Sequence, residues 1–142
     1  MELKTFIRDI PDFPEPGILF RDITPLLRSP QAFSYVIDSL LARFKDEPID
    51  TIVTVESRGF LFGAPLALKL GRPIVPVRKP GKLPAATHST EYVLEYGTNT
   101  MEIHVDGIEK GERVLLLDDL LATGGTLAAT ARLVETAGGI VG

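Results

Sequence analysis

Two acids followed by a turn of small residues are the part of this sequence whose chemistry is easiest to state. Val114–Thr126 reads VLLLDDLLATGGT. Val114–Leu117 is a continuous apolar run without polar alternation, the pattern of a strand covered on both faces in a parallel sheet. Ligands of such sheets sit beyond the carboxyl ends of the strands, which is where Asp118 and Asp119 emerge. Two adjacent carboxylates suit vicinal sugar hydroxyls or a hydrated cation. Leu120 and Leu121 return the chain to the core, and Ala122, Thr123, Gly124, Gly125 and Thr126 follow. The glycines let backbone amides approach an anion closely, and the two threonines can donate to it or cap the turn. A helix expected from Thr126 to Ala137, stopped by Gly138–Gly139, turns its free amides and positive dipole end toward that site. The competing reading is an ordinary strand-to-helix turn with its acids in solvent. Strand, acid pair and glycine turn in one run favour a functional site with a place for phosphate, and the segment is neither a GxxxxGK[ST] loop nor a GxGxxG turn.

Two further groups stand after apolar runs. Glu56-Ser57-Arg58-Gly59 follows Thr51–Val55, and Arg78, Lys79 and Lys82 follow Ile74–Val77. If both runs are parallel strands, these residues share the edge on which Asp118 stands. Arg58 keeps its charge at any ordinary pH and can fork across a phosphate; the alternative is a structural pair with Glu56. For Lys79 the alternative is a solvated basic loop. Glu95 lies in what reads as a hairpin, and its spacing alone gives it no role beyond a solvated face. His88 and His104 form no metal-ligand pattern and read as surface residues.

These groups must be positioned by a regular frame. Leu3, Phe6, Ile7 and Ile10 are spaced for a short amphipathic helix. Pro11–Pro25 holds four prolines, so an apolar loop is expected there. Ser29-Pro30 opens the clearest helix, with Phe33, Val36, Ile37, Leu40, Leu41 and Phe44 on one stripe. Strand Thr51–Val55, an almost wholly apolar helix ending at Gly71 and strand Ile74–Val77 follow, the alternation of an α/β domain with a parallel sheet. Periodicity then vanishes. Arg78–Thr100 is expected as a mobile loop carrying a hairpin, with strands at Tyr92–Tyr96 and Thr100–Val105 joined through Gly97-Thr98-Asn99.

The chain has 142 residues, enough for one domain with a real core. Hydrophobic residues at 44% and charged residues at 24% suit a soluble globular protein. No apolar run reaches membrane-spanning length and Met1–Ile10 is charged throughout, so no membrane partner and a cytoplasmic location are expected. With no cysteine, disulfides and thiolate metal sites are excluded. A net charge of −4 argues against nucleic acid as a partner. Gly139–Gly142 reads as the opening of another buried strand, so the sequence is expected to be an incomplete copy of a longer domain.

The acid pair and its turn resemble the phosphoribosyl diphosphate (PRPP) motif of the type I phosphoribosyltransferase family. With DFPEPGILFRDITPLL, ESRGFLFG, RKPGKLP and YVLEYG in order before it, the chain is similar to the adenine-specific branch of that family from about Ile7 to Gly142. The resemblance implies a parallel sheet flanked by helices, with residues 1–28 as a hood and base-binding segment and 29–142 as the core of a single domain. It implies transfer of a 5-phosphoribosyl group from PRPP to N9 of adenine, giving AMP and pyrophosphate, with Mg²⁺ held mainly by the substrate and water. Another purine base, or a non-catalytic nucleotide-binding regulator, are the alternatives. By position, the resemblance assigns Asp118 and Asp119 to the ribose and Ala122–Thr126 to the 5′-phosphate. Ser57, Arg58, Arg78 and Lys82 go to pyrophosphate, and Leu19, Phe20 and Arg21 to adenine. Glu95 becomes the proton acceptor, with Arg58 assisting catalysis and Tyr96 over the reacting centre. A homodimer is also implied. The family extends for another strand and a short tail beyond the position of Val141.

Overall fold

Opposed charges face one another near the start of the chain. The computed structural model describes residues 2–17, 19–94, 97–118 and 125–141, in two compact units, Met1–Arg43 and Phe44–Gly142. Leu3–Phe6 makes one 3-10 turn. Where the spacing predicts continued helix, strand β1 (Arg8–Pro11) instead pairs antiparallel with β2 (Leu19–Asp22). The register sets Arg8 opposite Asp22 and Asp9 opposite Arg21, with ion pairs of 3.5 and 2.8 Å. The Arg21–Asp9 pair is exposed on both sides, and such pairs contribute only about 0–1 kcal/mol, but a slip of one residue would set Arg8 opposite Arg21 or Asp9 opposite Asp22, and the like charges would oppose it. β2 and the short helix α1 (Thr24–Arg28) both lie in the segment expected as a loop. Pro25 stands in the first turn of α1, where a missing amide is tolerated, and Asp22 accepts from the Thr24 amide at 2.9 Å and its hydroxyl at 2.8 Å. Helix α2 (Pro30–Phe44) follows as expected, with Ser29 Oγ accepting the Ala32 amide at 3.2 Å. Ile37 is buried and the rest of its stripe half-buried. The N-terminal unit thus contains the long helix as well as the segment expected as a hood.

The second unit is built on β3 (Thr51–Val55), whose five residues are all buried. After α3 (Gly59–Leu70), strand β4 (Ile74–Val77) lies parallel to β3 on one side. A hairpin of β5 (Thr87–Leu94) and β6 (Gly97–His104) comes next. Then β7 (Arg113–Leu117) lies parallel to β3 on its other side, and after α4 (Gly125–Thr136) strand β8 (Ile140–Val141) adds to β7. The order β4-β3-β7-β8 makes the parallel sheet that the apolar runs predict.

Strand alternation sends β3 side chains to two faces. Thr54 meets α3 at Gly63, where a Cβ would run into the Thr54 methyl, so the missing side chain lets helix and sheet close. On the opposite face Val53 and Val55 join Val75, Val77 and Val114 in a core with Ala129, Leu133 and Val134 of α4. Met101 and Ile103 of β6 belong to that same core. Helices therefore flank the sheet on both faces, and the hairpin is anchored in the interior. Its ladder runs from Thr87↔His104 to Leu94↔Gly97, longer than the two short strands expected and without the Gly97-Thr98-Asn99 connection, since Asn99 pairs with Tyr92. Thr87–Glu91 is polar and shows no period; its strand form comes from a partner that sequence order alone does not announce.

Candidate active site

Parallel register brings three strand ends together. Thr54 lies beside Leu117 and Val55 beside Val77, so Asp118 leaves the sheet next to Val55, and Arg78 next to Glu56. The Glu56 amide donates to the Val77 carbonyl at 2.9 Å, which holds that level. The chain turns through Glu56, Ser57 and Arg58 into α3, with the Ser57 and Arg58 carbonyls accepting the Phe60 and Leu61 amides at 3.2 and 3.0 Å. Gly59 is the point of closest approach to β7: a Cβ there would lie 3.2 Å from the Leu117 carbonyl oxygen and 3.4 Å from an Asp118 carboxylate oxygen. Its bare backbone is what lets the half-buried Asp118 stand against the first turn of α3. α4 starts at Gly125, downstream of the same strand end.

Glu56 organises the basic residues. Its carboxylate takes Arg78 Nε at 3.2 Å, the Lys79 amide at 2.8 Å and Lys82 Nζ at 3.4 Å. Its side chain is only 10% exposed. Burial by itself pushes that carboxyl up, but the Lys79 amide, Lys82 and Arg78 together outweigh burial and hold it below the ordinary value. The Arg78 guanidinium also lies over the Phe60 ring, 5.9 Å from its centroid. Ser57 is exposed, Arg58 half-buried, and the Lys82 side chain 49% exposed.

Two residues of β6 have work that strand alternation does not announce. Glu102 sits on the β6 face opposite Met101 and Ile103, a position alternation assigns to water. The Arg78–Lys82 turn covers that face: Glu102 Oε1 accepts the Gly81 amide at 3.0 Å and Oε2 the Thr87 hydroxyl at 3.2 Å. The Glu102 backbone exchanges both of its hydrogen bonds with Arg78, at 3.0 and 2.8 Å. Only the excess of cations at Arg78–Lys82 hinted that an acid would be found beneath. His104, expected at the surface, is half-buried, and its Nε2 accepts the Ala85 amide at 3.3 Å.

In the N-terminal unit, Leu19, Phe20 and Arg21 lie together on β2. Phe20 is half-buried with its ring edge-on to Phe13, centroids 5.2 Å apart at 72°; Leu19 is exposed and Arg21 pairs with Asp9. Asp119, Ala122, Thr123 and Gly124, with Glu95 and Tyr96, lie outside the described residues, and of Gly125 and Thr126 only the helical backbone is described. Among the described residues no three His, Asp or Glu side chains gather to hold an ion, and no helix is long and apolar enough to cross a membrane.

The model of the phosphoribosyl transferase domain matches residues 24–141. An adenine phosphoribosyltransferase of Acaryochloris marina is 63% identical over 134 residues, covering 94% of this chain and 79% of that protein. The crystal structure of adenine phosphoribosyltransferase from Thermoanaerobacter pseudethanolicus superposes with a TM-score of 0.95 at 58% identity, over 99% of this chain and 81% of the other. The enzyme of Saccharomyces cerevisiae, crystallised with adenine and an imino-altritol bisphosphate, gives 0.92 at 45% identity over 99% and 82%.

Proposed function

Because the chain belongs to the adenine phosphoribosyltransferases of the type I phosphoribosyltransferase family, we propose that it transfers the 5-phosphoribosyl group of PRPP to N9 of adenine, releasing AMP and pyrophosphate in purine salvage. The observation that carries this reading is the convergence of an acid, Asp118, and two basic turns on one edge of a parallel sheet, ahead of a helix start. Acids for sugar hydroxyls, a helix terminus for the 5′-phosphate and cations for a leaving diphosphate are the three things this substrate requires.

In this reading Asp118 and Asp119 grip the ribose hydroxyls, and Ala122–Thr126 wrap the 5′-phosphate. The bond from the anomeric carbon to pyrophosphate lengthens with oxocarbenium character, as in glycoside chemistry. Ser57, Arg58, Arg78 and Lys82 take up the charge growing on the leaving group. Leu19 and Arg21 read the edge of adenine and Phe20 stacks on it. N9 attacks as its proton passes to Glu95, directly or through a water, with Tyr96 over the reacting centre. Mg²⁺ would be held mainly by PRPP and water and would supply charge neutralisation of the diphosphate. Glu56 is committed to Lys79, Arg78 and Lys82 and would not serve as a ligand. Within Arg78–Thr100 the hairpin closes over the substrates and excludes water, while the Arg78–Lys82 turn stays held by Glu56 and Glu102. The enzyme works as a homodimer in the cytoplasm.

Incubation with PRPP, Mg²⁺ and each purine in turn, followed by identification of the nucleotide, tests the assignment. AMP formed from adenine alone is expected. A nucleotide from hypoxanthine or guanine instead would make this a sister enzyme, and binding of PRPP without turnover would make it a regulator.

A further inference from the structure

The turn that carries Lys82 is held from two strands at once. On one side Glu56, at the end of β3, accepts the Lys79 amide at 2.8 Å and pairs with Arg78 and Lys82. On the other, Glu102 of β6 accepts the Gly81 amide at 3.0 Å and the Thr87 hydroxyl at 3.2 Å, while its backbone bridges Arg78. Gly81 is thus fixed one residue before Lys82 by a carboxylate whose own strand is rooted in the core through Met101 and Ile103. A lysine side chain loses rotamer freedom on binding an anion, and the backbone beneath it need add no further loss if already fixed.

We propose that Glu102 is a positioning residue, which together with Glu56 clamps the Arg78–Lys82 turn into a ready-made seat for the diphosphate of PRPP. The inference rests on the reading of Arg78 and Lys82 as diphosphate ligands. Glu102 does not touch substrate. Its carboxylate acts through the Gly81 amide, and its second oxygen is steadied by Thr87, so the seat is tied to the base of the hairpin. Adenine gains nothing from this contact, which separates the role from general support of the fold: loss of the clamp weakens one substrate and spares the other.

Glu102→Ala should raise KM for PRPP about tenfold while KM for adenine stays within about twofold. Glu102→Gln keeps an oxygen for the Gly81 amide and should recover most of the loss. Glu91→Ala, an exposed change on the neighbouring strand, is the control. Inorganic pyrophosphate titrated by calorimetry should bind more weakly to Glu102→Ala than to the parent by the same factor. Should Glu102→Ala fold poorly, the isosteric Thr87→Val tests the same seat, with KM for PRPP expected to rise about threefold. Equal losses for both substrates, or unchanged PRPP and pyrophosphate affinities, would overturn the proposal. A parent that makes no AMP refutes the reaction; the pyrophosphate titration then still decides the clamp, and a parent that binds no pyrophosphate refutes that too.

Discussion

Asp118 is the one member of the acid pair whose surroundings are described, and they are close. It stands half-buried at the end of β7, against the backbone of Gly59. A carboxylate there can accept two sugar hydroxyls, and hydrogen bonds to a charged acceptor contribute about 1.5–3 kcal/mol. Asp118→Asn keeps the shape and removes the charge. It should weaken PRPP binding by that amount and leave adenine binding alone, as read by calorimetry with each ligand; an unchanged PRPP affinity would take Asp118 out of the site. Glu56 makes a different prediction. Its carboxyl is held below the ordinary value when the protein is folded, so the folded state favours the charged form. The resulting stability is fully present above the unfolded value of about 4.3 and is lost as the pH falls through the lower folded value. Urea midpoints of the parent and of Glu56→Gln should therefore differ by a constant amount above about pH 5 and converge below that window. A difference that does not change with pH would mean that the ion pairs contribute nothing. Glu102 shows the limit of sequence reading at this scale. Period-2 alternation says which side of the sheet a residue faces, not what else covers that side.

Elements were legible in the sequence where their own residues decide them. β3, β4 and α3 announce themselves by mostly apolar runs, and α2 by its stripe and its Ser29-Pro30 start. β1 and β2 were hidden because a helical spacing at Leu3–Ile10 gives way to cross-strand charge pairing with residues beyond the prolines. β5 was hidden because Thr87–Glu91 has no period of its own and is strand only beside β6. One element carries a flaw that can be tested. Thr54 is fully buried between β3 and α3, and among the described residues its hydroxyl has no partner. An unsatisfied buried hydroxyl costs about 1–3 kcal/mol. Thr54→Val has the same shape and keeps the methyl that fills the space at Gly63; it should raise the unfolding free energy by about 1 kcal/mol in urea titration. A loss of stability would show that the hydroxyl is satisfied after all.

For the whole molecule, the sequence carried the class, the parallel sheet and the edge on which ligands gather, because all three follow from apolar runs alternating with helices. Hydrogen-bonded register had to come from the structure, and it is register that sets Asp118, Glu56 and Arg78 at one level. That register also has a history in time. β3 is completed by Val55, but its inner neighbour β7 lies far downstream: Arg113 donates to Asp50 across 63 positions. While a ribosome is still making the hairpin, β3 has β4 on one side and nothing on the other, and all five of its residues are ones the finished protein buries. An open apolar strand edge is an invitation to pair with a stranger. The same central placement of β7 that delivers the acids to the sheet edge thus makes the nascent chain depend on its last third to close its own middle.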